Sequence, residues 1–141
     1  MKYFILISIL GLPFVSQAQI NNDYCYYNKN TKYAEILHFE NDTVIIIGQM
    51  NKTCDEINIE RGILWAKENG YLWEMFLNKD TLQFTKTVDA QQNGLVIEYN
   101  YHGTVTSEGL NVEISYSPDT YYDSLGPSQR LYSLMKNTPS K

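Results

Sequence analysis

The sequence predicts an all-β protein, an antiparallel up-and-down meander of seven or eight strands closed into a small barrel or folded into a sandwich. Three observations carry this expectation. Between Tyr33 and Tyr116, runs rich in Val, Ile, Tyr, Phe and Thr alternate apolar with polar residues. Tight turn signals separate them, among them Asn41-Asp42, Asn69-Gly70 and Asn78-Lys79-Asp80. No crossover helix fits between the runs, so neighbours pair antiparallel.

Residues 1–18 come first and stand apart. Lys2 is followed by the apolar run Phe4–Val15, then by Ser16-Gln17-Ala18 with small residues where a signal peptidase cuts. Cleavage is expected near Ala18, leaving 19–141 as a single β domain that is periplasmic or secreted. The apolar run is too short for a membrane span.

Along the mature chain, Tyr33–Glu40 and Thr43–Gln49 form a first hairpin about Asn41-Asp42. Ile57 and Ile59 alternate with Asn58 and Glu60, as in a short strand. Ile63–Lys67 and Tyr71–Leu77 flank Glu68-Asn69-Gly70 and read as a second hairpin. Thr81–Val88 follows, then the polar loop Asp89–Gly94 and the strand Leu95–Tyr101. Val112, Ile114 and Tyr116 alternate in a last strand. Residues 117–141 change character: a Tyr-containing loop, Ser117–Pro127, precedes Ser128, which caps an expected short C-terminal helix, Gln129–Lys136. That helix is expected to pack on the barrel or plug one end.

Charge and cysteines narrow the function classes. Removing residues 1–18 takes away Lys2 and leaves 10 basic against 16 acidic residues, a net charge of −6. Such a balance argues against nucleic acid and anionic membranes, which Lys and Arg must neutralise. Cys25 and Cys54 are expected to pair as one disulfide, as an even cysteine count in an exported chain suggests.

No catalytic, metal or cofactor constellation is marked. His38 and His102 lack further ligands at metal-site spacing. There is no nucleophile elbow around Ser124, no Gly-rich phosphate loop, and no acidic pair singled out, Glu74 included. The expected protein is not an enzyme.

Aromatic residues are the unusual quantity. The mature chain keeps eleven Tyr, both Trp and three Phe. A three-residue turn at Glu68–Gly70 would set Trp65 opposite Trp73 with Tyr71 on the same face; a two-residue turn would separate them. With Tyr99 and Tyr101 these rings either line a site for a small apolar or sugar-like ligand or belong to the core. Tyr121 and Tyr122, in the loop, are the alternative: an interface for an envelope protein partner.

Short turns and the stretch Tyr101-His-Gly-Thr-Val-Thr-Ser-Glu-Gly-Leu110 resemble, in texture, the lipocalin-like barrels of small exported bacterial proteins. Cys25, Tyr71 and Trp73 also resemble small periplasmic lysozyme inhibitors, β-barrels with one disulfide. Arg61-Gly62-Ile63-Leu64-Trp65 stands where that family carries its Ser-Gly…Tyr inhibitory loop, so no functional residue carries over. The expected function is non-catalytic binding.

Overall fold

In a computed structural model, which describes residues 21–90, 95–118 and 126–135, the chain is a closed antiparallel barrel with strands in sequence order. These are β1 Asp23–Asn28, β2 Tyr33–Glu40, β3 Thr43–Met50, β4 Trp73–Asn78, β5 Thr81–Ala90, β6 Leu95–Thr106, β7 Gly109–Ser117 and β8 Gln129–Leu134. A 3-10 turn, Cys54–Glu56, and one helix, α1 Ile59–Asn69, lie between β3 and β4. The expected signal segment, residues 1–18, lies outside the described residues.

Alternation sorts the strand residues into two layers. Tyr24, Leu37, Phe39, Val44, Met75, Phe84, Tyr101, Ile114 and Tyr132 point inward and fill the barrel. The opposite parity of β1–β3, with Cys25, Ala34, Ile36, Ile45 and Ile47, points outward yet is buried under Ile57 and Ala66. Thus β2 is apolar on both faces: its inner face meets the core and its outer face meets α1. The Cys25–Cys54 disulfide, closing 29 residues, ties β1 to the turn that leads into this helix.

The helix corrects the expected strands at Ile57–Glu60 and Ile63–Lys67 and the hairpin between them and β4. Asn58 caps α1, its Oδ1 accepting the Arg61 N–H at 3.0 Å. Ile59, Ile63 and Ala66 recur at helical spacing and pack on the outer layer. Gly62 lies so close to β3 that a Cβ there would meet Ile47 Cδ1 at 2.8 Å. Gly70 ends the helix at φ 78°, in the left-handed region. Asn69-Gly70 therefore supplies positive φ to a helix end, where the sequence reading gave it to a hairpin.

A second correction concerns the C-terminus. Gln129–Leu134 is β8, pairing with β7 and, through Tyr24↔Leu134 and Cys25↔Ser133, with β1. The expected helix would have buried Leu131 and Leu134; both are exposed, while Arg130 and Tyr132 point inward. Period two was present, but an Arg and a Tyr carried it.

The remaining turns fall where the turn residues put them. Asn41 and Lys79 take positive φ between β2 and β3 and between β4 and β5. The disulfide is compatible with an extracellular or periplasmic protein. Among the described residues, no helix is long and apolar enough to cross a membrane.

Candidate functional site

The rings singled out in the sequence separate into two groups. Trp65, on the last turns of α1, stacks on Tyr71 with ring centroids 5.2 Å apart and planes within 3°. Tyr71 in turn lies 6.4 Å from Trp73 at the start of β4, tilted by 52°. The Gly70 reversal makes this possible: it ends the helix and sends the chain back past it, so two rings six residues apart come face to face. Trp65 and Tyr71 are 56% and 48% exposed, and Leu64 beside them is 58% exposed. Trp73 is partly buried against the barrel core. Trp65 and Tyr71 form an exposed step that leads to Trp73, whose ring lies on the inward face of β4 and packs on the core.

Tyr99 and Tyr101 do not join it. Tyr101 is fully buried, stacked on Phe84 at 4.5 Å. Tyr99 is inside as well, edge-on to Tyr116, with Lys86 Nζ 4.4 Å from its ring centre. Tyr99 and Tyr101 thus pack among other side chains of the barrel interior, apart from Trp65 and Tyr71. Tyr121 and Tyr122 lie outside the described residues. Of the double tyrosines, the pair in β1 splits by alternation: Tyr26 packs on the core and Tyr27 is exposed.

The barrel interior holds a polar cluster that the sequence reading missed. Glu35, on β2, is 1% exposed. Its Oε1 accepts from Arg130 Nη1 at 3.1 Å and from the Tyr132 hydroxyl. Its Oε2 accepts from the Tyr33 hydroxyl at 2.9 Å and the Tyr101 hydroxyl at 3.3 Å. Arg130 Nε donates to Pro127 O at 2.9 Å, and its guanidinium lies 5.2 Å from the Tyr26 ring centre. Gly48 faces Glu35 across the β2–β3 ladder, and a Cβ there would overlap the Tyr33 hydroxyl, so glycine makes room for that donor.

Electrostatics hold three of the donors around Glu35 (Tyr101, Tyr132 and Arg130) in one protonation state. Burial first, and then the Glu35 charge, push the Tyr101 and Tyr132 hydroxyls well above the ordinary phenol range. They stay protonated and donate. Burial opposes the charge on Arg130, but Tyr132 and Glu35 outweigh it and hold the guanidinium charged. Glu35 was legible in principle, as a charge on the inward parity of an otherwise apolar strand.

A second charged chain runs outside the barrel. His38 Nδ1 lies 2.6 Å from Asp23 Oδ1 and its Nε2 3.0 Å from Glu40 Oε2. Lys67 Nζ reaches Glu40 Oε1 at 3.0 Å. The chain links β1, β2 and α1, and so the helix that carries Trp65.

No protein-family model, no curated protein and no solved structure matches the chain. Function therefore rests on the geometry of the ring step and the surfaces around it.

Proposed function

We propose that this protein is an exported, non-catalytic binding protein that takes a sugar-like ligand on the ring step Trp65–Tyr71–Trp73. The carrying observation is the exposed, stacked Trp65–Tyr71 pair outside a barrel whose interior is occupied by side chains. Flat rings offer the apolar face on which the C–H face of a sugar ring rests. Exposed Lys67, Glu68 and Asn69 add polar groups to the same helix end. The outward-facing step replaces the lined hollow that a small apolar ligand would need.

Both tryptophans of the chain sit in the step, so intrinsic fluorescence reports on it directly. Titrating the protein with neutral disaccharides should change the emission saturably, and Trp65→Ala should abolish the response. Emission that stays flat across cellobiose, chitobiose and maltose would remove the reading. Exposed Leu64 favours a second one, in which the same patch meets the apolar surface of an envelope protein. A complex with such a protein, in purified form, that is lost in Leu64→Ala and indifferent to sugars would put it first.

A further inference from the structure

We infer that the outer face of β4–β8 is an extended site for a neutral oligosaccharide, a second surface on the barrel that carries the ring step. This rests on the reading of that step as a sugar contact, and adds a separate contact for longer chains.

Among the described residues, the Cys54–Glu56 turn and α1 cover the outer side of β1–β3, while the outward residues of β4–β8 are mostly exposed. There the strand registers align one residue from each strand in a straight row. Phe76 faces Gln83, Gln83 faces His102, His102 faces Glu113, and Glu113 faces Gln129. All five point outward and are exposed. A parallel row follows one step along: Asn78, Thr81, Thr104, Asn111 and Leu131. Both rows line one open hollow of about 800 Å³. A smaller hollow of about 330 Å³ shares Phe76, Gln83 and His102 with it and adds Glu74, Thr85 and Asn100. These volumes lie in the range of small-molecule sites.

The lining chemistry selects the occupant. Amides and hydroxyls dominate and can both donate and accept, as sugar hydroxyls require. Phe76, 58% exposed, offers a ring face. Among the lining residues the carboxylates are Glu113 and Glu74, while the single guanidinium, on Arg130, is turned inward onto Glu35. An anionic polymer would therefore meet carboxylates with no cation aimed at it. An apolar ligand would leave the amides unsatisfied. An uncharged saccharide fits both limits.

Size sets the length. Five strands span four inter-strand steps, roughly 19 Å, which suits a short oligosaccharide better than one sugar. Trp73 and Phe76 are three residues apart on β4 and so lie on opposite faces of that strand, Trp73 toward the core and Phe76 outward.

Calorimetry on the full exported chain tests the inference, with cello- and chito-oligosaccharides from disaccharide to hexasaccharide. Affinity should rise about tenfold or more with chain length. Gln83→Ala combined with Asn111→Ala, both exposed positions, should return hexasaccharide binding to the disaccharide level while the tryptophan response to disaccharide persists. Phe76→Ala should act in the same direction, and oligogalacturonate should bind more weakly than its neutral counterparts. Affinity independent of length, or groove variants that bind hexasaccharide like the parent, would overturn the groove and leave the ring step standing. Absence of any disaccharide response, with hexasaccharide equally inert, would overturn both.

Discussion

Glu35 and Arg130 meet inside the barrel from the second strand and the last, Oε1 to Nη1 at 3.1 Å, with both side chains 1% exposed. Burial makes this pair costly to form and more costly to break. Removing one partner strands the other charge in an apolar interior.

Arg130→Met should therefore destabilise the protein by about 3–5 kcal/mol. Glu35→Leu combined with Arg130→Met should recover much of that, since no charge then remains buried. Recovery stays incomplete, because the hydroxyls of Tyr33, Tyr101 and Tyr132 lose their shared acceptor, at about 1–3 kcal/mol for each group left unsatisfied. Urea unfolding of the single and double variants measures both quantities. A double variant no better than Arg130→Met would contradict the argument.

Cys25→Ala with Cys54→Ala should lower stability by roughly 3–4 kcal/mol, the chain-entropy value for the 29-residue separation. The loss should fall first on α1, because the bridge tethers the turn ahead of it to β1. Thermal melts give the total. Amide exchange over Ile59–Asn69 against β6 gives the distribution, and uniform loss would argue against tethering.

Stability should also depend on pH through His38. The Asp23 hydrogen bond raises its imidazole above the usual range against the pull of burial, and Glu40 adds to this. The stabilisation is whole below the unfolded value of 6.5 and is lost as pH rises through the raised folded value. Glu40 is lowered by His38 and then by Lys67, so its share is present above 4.5 and lost as pH falls. The stability difference between parent and His38→Gln should thus be greatest between these two values and shrink on the alkaline side. A difference that grows above neutrality would reverse this sign.

Asn58→Ala should cost about 1 kcal/mol by removing the cap of α1. Gly70→Ala should cost a similar amount, because its φ of 78° disfavours a side chain. Were the segment a hairpin, Asn58 would tolerate alanine without loss. Denaturant midpoints for both variants decide it.

The all-β class and the antiparallel order were legible because β5–β7 carry apolar alternation, β2 and β3 are short apolar runs, and Asn41, Lys79 and Gly109 mark turns with positive φ. The disulfide followed from the cysteine count. Two elements hid behind competing periods. At the start of α1, Ile57 just ahead of it and Ile59 within it imitate a strand, while Ile59, Ile63 and Ala66 pack at helical spacing. In β8, inward Arg130 and Tyr132 do not look like core residues until Glu35 faces them. The strand count survived because two false strands replaced β1 and β8. Of the site, Trp65, Tyr71 and Trp73 do come together, but through a helix end. The row from Phe76 to Gln129 depends on register across five strands, which no local pattern states.

The ladders also divide the barrel mechanically. Among the described residues, β3 meets β4 only at Thr43↔Glu74 and Val44↔Trp73, and β1 meets β8 only at Tyr24↔Leu134 and Cys25↔Ser133. The wall is thus two shells, β1–β3 and β4–β8, clasped along two short seams. Glu35 belongs to one shell; Arg130, Tyr132 and Tyr101 belong to the other. The buried cluster is a cross-brace through the middle of the molecule, and prying the shells apart at either seam means pulling a charge out of its socket.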